Sequence, residues 1–161
     1  GLWLDQETTP EKKIKLLELL DDIKDPIRKM DLLITAKNFV CPSLFMADEL
    51  GKKGGKTWVY QFNRVRDDKL AQKYGAFHGA ELPYVFDTHD EWLPTNEKDR
   101  ELTREIQSYW LSFAKTGNPN NGDAVTWPKY DSYNNPTLVL DDEIYQRNHE
   151  SSEICKIMDL F

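Results

Sequence analysis

Long apolar runs, clustered positive charge and metal-ligand spacings are all missing from this chain of 161 residues. No uninterrupted apolar run approaches the roughly 18 residues that span a bilayer, so we expect no membrane span. The formal net charge is −7, whereas a nucleic-acid partner would call for a clustered basic face, so we expect no nucleic-acid binding. The three histidines and two cysteines do not have metal-ligand spacing, which argues against a metal site.

Two motifs that bind phosphate or present a nucleophile are missing as well. The glycines between Gly51 and Gly55 lack the GxxxxGK[ST] spacing of a phosphate-binding loop and instead predict a helix C-cap and turn. No serine lies in a GxSxG sequence, the motif that holds a reactive hydroxyl on a sharp turn. The chain therefore shows no convincing nucleophile among its serines, which are Ser43, Ser108, Ser112, Ser132, Ser151 and Ser152.

What the chain does contain suits a packed domain. Aromatic residues make up 12% of the sequence and apolar residues 39%, enough for a hydrophobic core. Apolar periodicity, with prolines and glycines as breaks, predicts a series of helices. They cover residues 10–24, 27–33, 42–50 (with Phe45, Ala47 and Leu50 facing inward), 96–116 and 150–161.

Strand signals are fewer. Thr57–Asn63 has aromatic residues at alternate positions and is the best strand in the sequence, and a polar loop over Arg64–Lys69 follows it. Thr137–Leu140 predicts a second, weaker strand. An isolated strand exposes unpaired backbone N–H and C=O groups on both edges. We therefore expect the first strand to need partner strands that this chain does not supply.

One histidine stands in an unusual setting. His78 follows a small-residue run within Gly75–Phe86, where the backbone can turn sharply, and a buried apolar segment carrying Glu81 is expected next. An imidazole held at a turn suits a general base, because its pKa lies near neutral pH. Two points remain open. One is whether His78 has a catalytic role at all. The other is whether Glu81 is its partner acid or a buried carboxylate that bonds to nearby backbone groups. His89 and His149 are expected to be solvated surface residues.

Several segments together resemble the type B carboxylesterases, the α/β-hydrolase family that includes the cholinesterases and bacterial para-nitrobenzyl esterases. Their order and spacing agree with that family from about Met30 to the end of the chain. The segments are Asn38–Pro42, Trp58–Phe62, Gly75–Phe86 (GAFHGAELPYVF), Tyr109–Asn120 (with W..FA.TG.PN), Trp127–Tyr130 (WP.Y) and Thr137–Asp141.

The resemblance implies an α/β-hydrolase fold, of which residues 1–161 would be the C-terminal segment of a single domain. It implies that His78 is the histidine of a Ser-Glu/Asp-His triad acting on a small-molecule carboxylic ester, with no cofactor. The serine elbow, the oxyanion-hole loop and the triad acid would precede this segment in the full enzyme. We therefore expect an N-terminal portion of the same enzyme as the partner, and no activity from this segment alone.

The resemblance also sharpens the reading of the two cysteines. From the sequence alone, Cys41 and Cys155 are either two buried free thiols or a bridge that closes a loop of more than a hundred residues. In secreted cholinesterase-like proteins the matching cysteines pair, which implies a Cys41–Cys155 disulfide. Because disulfides persist in oxidising compartments, we expect a secreted or periplasmic protein.

Two other function classes remain open. The first is a non-catalytic cholinesterase-like adhesion or binding protein, whose relatives usually lose a triad residue. The residue at the serine elbow would discriminate, with serine favouring an enzyme and glycine or alanine a binding protein. The second is a self-sufficient small helical binding module, which would unfold cooperatively by itself.

Overall fold

The computed structural model of the chain describes residues 2–89, 93–148 and 152–160. The chain divides into two compact units, one of Gly1–Thr57, Tyr130–Asn135 and His149–Phe161, the other of Trp58–Lys129 and Pro136–Asn148. In chain order the elements are α1 (Leu2–Glu7), α2 (Pro10–Leu19), α3 (Pro26–Thr35), a π-helical turn (Ala36–Val40), α4 (Cys41–Lys52), β1 (Val59–Phe62), α5 (Lys69–Tyr74), α6 (Leu82–Phe86), α7 (Glu97–Thr116), β2 (Pro136–Leu140), β3 (Tyr145–Asn148) and α8 (Ser152–Ile157).

Helix α2 begins where the sequence predicts but is shorter. The Thr9 side chain accepts a hydrogen bond from the Lys12 N–H, and Pro10 follows it in the first turn. The helix ends at Leu19 rather than at residue 24. Of the apolar residues in the predicted range, only Leu16 and Leu20 are buried.

The prediction of separate helices on either side of Pro42 is also wrong. Residues 26–52 form one continuous helix, because a π-helical turn joins α3 to α4. In that turn the Cys41 N–H bonds to the Ala36 carbonyl, one residue further back than in an α-helix. The extra residue lets the helix pass Pro42, which has no N–H to donate.

The buried side of α4 differs from the predicted one. Leu44 and Ala47 are buried, whereas Phe45 and Leu50 are about half exposed, so only Ala47 of the predicted inward residues is correct. The helix ends at Lys52, and the Gly55 N–H bonds to the Leu50 carbonyl in the predicted C-terminal turn.

The helix over residues 26–52 is long and apolar enough to cross a membrane by length and composition alone, with a mean hydropathy of 1.2. Polar residues interrupt its apolar runs, so no single run in the sequence indicates it. Core helices of soluble domains and N-terminal signal sequences satisfy the same criterion. Here Leu33, Cys41 and Leu44 on this helix are buried within the protein. The absence of a membrane span stays a prediction.

The second unit contains a three-stranded sheet in the order β1-β2-β3. Strand β1 pairs parallel with β2, with Val59 opposite Thr137 and Phe62 opposite Leu140, and β2 pairs antiparallel with β3. The expectation that the first strand lacks partners in this chain is therefore wrong on one side, where β2 supplies one. Strand β3 was not predicted because its sequence, YQRN, is mostly polar, as an exposed edge strand can be.

Helix α7, with 20 residues, carries the core of the second unit. Asn96 and Asp99 form a reciprocal capping box at its start, and Gly117 ends it in the left-handed conformation. Both ends agree with the predicted helix over residues 96–116. Its buried stripe packs in one cluster with residues of α6 and β2 and with a loop tryptophan; the members are Tyr84, Leu102, Ile106, Tyr109, Trp127, Leu138 and Leu140.

Candidate functional site

His78 lies in a tight turn bracketed by two glycines in the left-handed half of backbone space. Gly75 has φ +66° and Gly79 has φ +89°, a backbone conformation that is unfavourable for residues with a Cβ atom. The Ala80 N–H bonds to the Phe77 carbonyl at 2.9 Å across the turn. His78 itself is exposed. The sharp turn predicted at His78 is therefore present.

Helix α6 follows the turn directly. Pro83 stands in its first turn, and the Thr88 N–H bonds to the Pro83 carbonyl at 3.0 Å where the helix ends. Only Tyr84 is fully buried, whereas Leu82 and Phe86 are 49% and 66% exposed. The expectation of a buried apolar segment is therefore wrong for most of this short helix.

Glu81 lies at the start of α6 and is half-buried rather than buried. Its backbone carbonyl accepts hydrogen bonds from the Tyr84 and Val85 N–H groups at 2.9 and 3.0 Å. The pKa of the Tyr60 phenol on β1 is raised, first by burial and second by the negative charge of the Glu81 carboxylate. Glu81 therefore keeps its carboxylate within electrostatic reach of the sheet.

A buried polar cluster, which we call the Asp99 network, joins α6 to α7 and to the loop after β1; it consists of Arg64, Arg66, Tyr84 and Asp99. The Asp99 Oδ1 atom accepts hydrogen bonds from Arg64 Nε at 2.9 Å and from the Tyr84 hydroxyl at 2.7 Å. Its Oδ2 atom accepts from the Asn96 N–H at 2.9 Å and lies 3.8 Å from Arg66 Nη1. One carboxylate thus fixes three segments of the chain.

Asp99 is 1% exposed and yet charged. Burial acts to raise the pKa of its carboxyl, but the hydrogen bonds from Asn96, Tyr84 and Arg64, together with the Arg64 charge, outweigh burial and hold that pKa below 3.8. Burial and the bond to Asp99 also raise the pKa of Tyr84, which keeps its hydroxyl a donor. The network is a charge-paired anchor for α6.

His89 is not the solvated surface residue that the sequence predicts. It is half-buried, with its Nδ1 atom 3.0 Å from Arg66 Nη2 and its Nε2 atom 2.7 Å from Thr103 Oγ1 on α7. Its ring stands edge-on to the Tyr84 ring at 5.1 Å between centroids. His149 lies outside the described residues.

Sequence reasoning missed this network almost entirely. The sequence predicts a polar loop for Arg64 and Arg66, yet they are only 4% and 7% exposed. The available signal was the start of α7, where Asp99 stands three residues after the cap Asn96 and so points back at the chain before the helix.

The serines of α7 are engaged in local hydrogen bonds. Ser108 Oγ accepts a hydrogen bond from Asn121 Nδ2 at 2.7 Å, and Ser112 Oγ donates one to the Asn118 carbonyl at 2.8 Å.

Within the part of the chain that the structure describes, no group of three or more His, Cys, Asp or Glu residues could hold a metal ion. The chemistry that this region offers is proton transfer by an exposed imidazole on an anchored turn.

The implied disulfide between Cys41 and Cys155 is present. It joins α4 to α8 within the first unit, with the two Cα atoms 5.5 Å apart, and both cysteines are fully buried. The described residues contain no free cysteine. The alternative of two free thiols is therefore wrong.

Known proteins are similar to nearly the whole chain. The sequence model described as "Carboxylesterase family" matches residues 7–158. A para-nitrobenzyl esterase of Bacillus subtilis is 39% identical over 101 residues, which are 60% of this chain and 20% of that protein. An acetylcholinesterase of Gallus gallus is 35% identical over 133 residues, 80% of this chain and 15% of that protein.

Solved structures agree. A thermophilic PNB esterase superposes with a TM-score of 0.72 at 31% identity, covering 91% of this chain and 30% of that one. A Geobacillus stearothermophilus carboxylesterase superposes with a TM-score of 0.75 at 22% identity, covering 96% and 33%, which supports the fold. The chain thus spans a fifth or less of the two curated relatives above and about a third of these structures. It has part of the α/β-hydrolase fold, and it belongs to the carboxylesterase family.

Proposed function

We propose that this chain supplies the catalytic histidine, His78, of a serine carboxylic-ester hydrolase. The observation that carries the proposal is the exposed imidazole on a turn bracketed by Gly75 and Gly79, anchored through α6 to the buried Asp99. Membership in the carboxylesterase family supports ester hydrolysis as the reaction. An exposed ring on a fixed backbone is what a general base requires, because it must reach substrate without reorganising.

In this mechanism the His78 imidazole accepts the proton of a serine hydroxyl as the serine oxygen attacks the ester carbonyl. The imidazolium then returns the proton to the departing alkoxide, which leaves as the alcohol. In the second half-reaction His78 takes a proton from water, whose oxygen attacks the acyl-enzyme, and gives that proton back to the serine. No cofactor takes part.

The nucleophile, the oxyanion-hole donors and the triad acid would come from an N-terminal portion of the same enzyme, with residues 1–161 as the C-terminal segment of one domain. The sheet supports this arrangement. Strand β1 has β2 on one side and lies at the end of the strand order on the other, and it is parallel to β2, as in a covered α/β sheet. This segment alone is expected to have no esterase activity, because most transition-state stabilisation would be missing.

We further propose that the enzyme works in an oxidising compartment, as a secreted or periplasmic protein. The buried Cys41–Cys155 disulfide supports this location, since cytosolic thiol systems keep most cysteines reduced.

The test compares His78→Ala with the parent in a full-length protein that contains this chain and the N-terminal portion, using a chromogenic carboxylic ester. Loss of one triad member should lower kcat by about 10⁴- to 10⁶-fold. Tyr133→Ala is the control for a surface substitution, because Tyr133 is 93% exposed. Near-parental turnover by His78→Ala, with an unchanged circular dichroism spectrum, would contradict the proposal.

A further inference from the structure

The hydrogen bonds around His89 select one protonation state. Arg66 Nη2 has only hydrogens to offer, so His89 Nδ1 must accept that hydrogen bond. On the other side, the Thr103 hydroxyl already donates to the Asp99 carbonyl at 2.7 Å, so Thr103 Oγ1 accepts from His89 Nε2. Both bonds form together only when the ring is neutral with its hydrogen on Nε2.

The charges that face His89 disfavour a second proton. Arg66 approaches from the loop after β1, and Arg100 lies on α7; burial first, and then these two cations, lower the pKa of His89. Asp87 at the end of α6 and Asp99 on α7 oppose the shift without cancelling it. Among the residues that the structure describes, Tyr84 of α6 also faces His89; it presents its ring and carries no charge near neutral pH.

Arg66 couples His89 to the start of α7. While its Nη2 atom donates to His89, its Nη1 atom donates to the Pro94 carbonyl and to Thr95 Oγ1, both at 2.9 Å. The same guanidinium lies over the Tyr84 ring, with its carbon 4.8 Å from the ring centroid. A single buried cation therefore ties the chain after α6 to the chain before α7.

We propose that His89 is a pH-dependent positioning residue, which holds the end of α6 against α7 only while its ring is neutral and releases it on protonation. The inference rests on the proposed function in one respect, namely that the segment held in place carries the catalytic His78. A proton on Nδ1 would place a cation 3.0 Å from the Arg66 guanidinium and remove the only acceptor that this bond uses. The ring would then leave Arg66. The end of α6 would keep the Tyr84 contacts with Asp99 and with the core, and the exposed Asp87–Arg100 pair at 3.5 Å.

The first measurement needs no variant. Nitrogen-15 NMR of the histidine rings in the full-length protein should find the Nε2–H tautomer for His89 and a transition below pH 6.5, the ordinary histidine value. Amide hydrogen exchange of residues 84–88 should be protected above that transition and lose about tenfold or more of its protection below it, as expected for losing a hydrogen bond to a charged group. A His89 ring that titrates at or above pH 6.5 would overturn the inference.

The matched variant is His89→Gln, whose amide oxygen can accept from Arg66 and whose amide nitrogen can donate to Thr103 without titrating. It should keep amide protection in residues 84–88 at acid pH, while its esterase activity at neutral pH stays near that of the parent. On the acid side, the plot of log kcat against pH should fall with a slope of one proton in this variant and of two protons in the parent. An unchanged acid-induced loss of protection in His89→Gln would refute the role of His89.

His78→Ala separates this inference from the proposed function. The variant should lose hydrolysis and keep the pH-dependent protection of residues 84–88. If it keeps hydrolysis, the proposed function fails while the exchange result still stands. If it loses the pH-dependent exchange, His78 is the titrating group and the positioning role of His89 is wrong.

Discussion

Replacing Asp99 by Asn would remove one charge from the Asp99 network with almost no change of shape. The amide oxygen of Asn can still accept from Arg64 or Tyr84, so most of the geometry survives. The Arg64 guanidinium, however, is 4% exposed and would lose its buried counter-charge. Breaking a buried ion pair from one side costs about 3–5 kcal/mol, because the remaining charge loses its buried partner and keeps only exposed ones, here Asp67 and Asp142.

The structure offers a matched control on the same cation. Asp142 Oδ1 lies 3.0 Å from Arg64 Nη1, close to the 2.9 Å between Asp99 and Arg64 Nε, but the Asp142 side chain is 47% exposed. Exposed pairs contribute about 0–1 kcal/mol, since water and salt screen them. Asp142→Asn should therefore destabilise the protein by about 2–5 kcal/mol less than Asp99→Asn does.

The assay is urea unfolding at pH 7, followed by tryptophan fluorescence, in the parent and both variants. It should be repeated at low pH, where the sign of the linkage is defined. The pKa of Asp99 is depressed on folding, so its stabilising effect is complete above 3.8 and is lost as pH falls through the lower folded value. Equal free energies of unfolding for the two variants at pH 7, within about 0.5 kcal/mol, would refute the buried-charge argument.

Three further predictions follow from single features. Replacing Cys41 and Cys155 by Ala opens a loop with a sequence separation of 114 residues and should cost about 5 kcal/mol in urea unfolding; a loss below about 1 kcal/mol would contradict it. Gly79→Ala should destabilise by about 1–2 kcal/mol because φ is +89°, whereas the control Gly51→Ala in α4 should be neutral or stabilising. Parent and His89→Gln should match in pH dependence of unfolding above pH 6.5. Below it the parent should lose stability relative to the variant, since the depressed pKa makes the unfolded state bind the proton first.

The fold could be predicted from sequence wherever a local rule acted alone. The capping box and terminal glycine set both ends of α7, and aromatic alternation located β1. Local rules failed where two of them competed. Pro42 normally marks a helix start, but the π-helical turn before it joins α3 to α4 in one continuous helix. Strand β3 has no apolar pattern in its sequence, and only its pairing with β2 defines it as a strand.

The candidate site divides in the same way. The turn at His78 is predicted by the small-residue run before it, and the Cys41–Cys155 pairing by resemblance to a family. His89 and Arg66 look like ordinary surface residues in the sequence, since charge and polarity alone predict exposure. Their burial arises from contacts between segments far apart in the chain, such as Arg66 with Thr95 and His89 with Thr103. No periodicity within one segment records such contacts.

Polar contacts act together with the burial of Tyr84 to hold the His78 turn in place. Helix α6 has five residues, too few to be stable by itself, and only Tyr84 among them is fully buried. Its position therefore depends on contacts with other elements: the Tyr84 ring packs in the core, and directed bonds run from the Tyr84 hydroxyl to Asp99 and from Arg66 to His89. Hydrogen bonds constrain direction, whereas apolar contacts allow sliding, so this anchoring suits a residue that must meet a reacting atom within a few tenths of an ångström. The same dependence makes α6 responsive to the charge state of its anchors, which a purely apolar contact could not be.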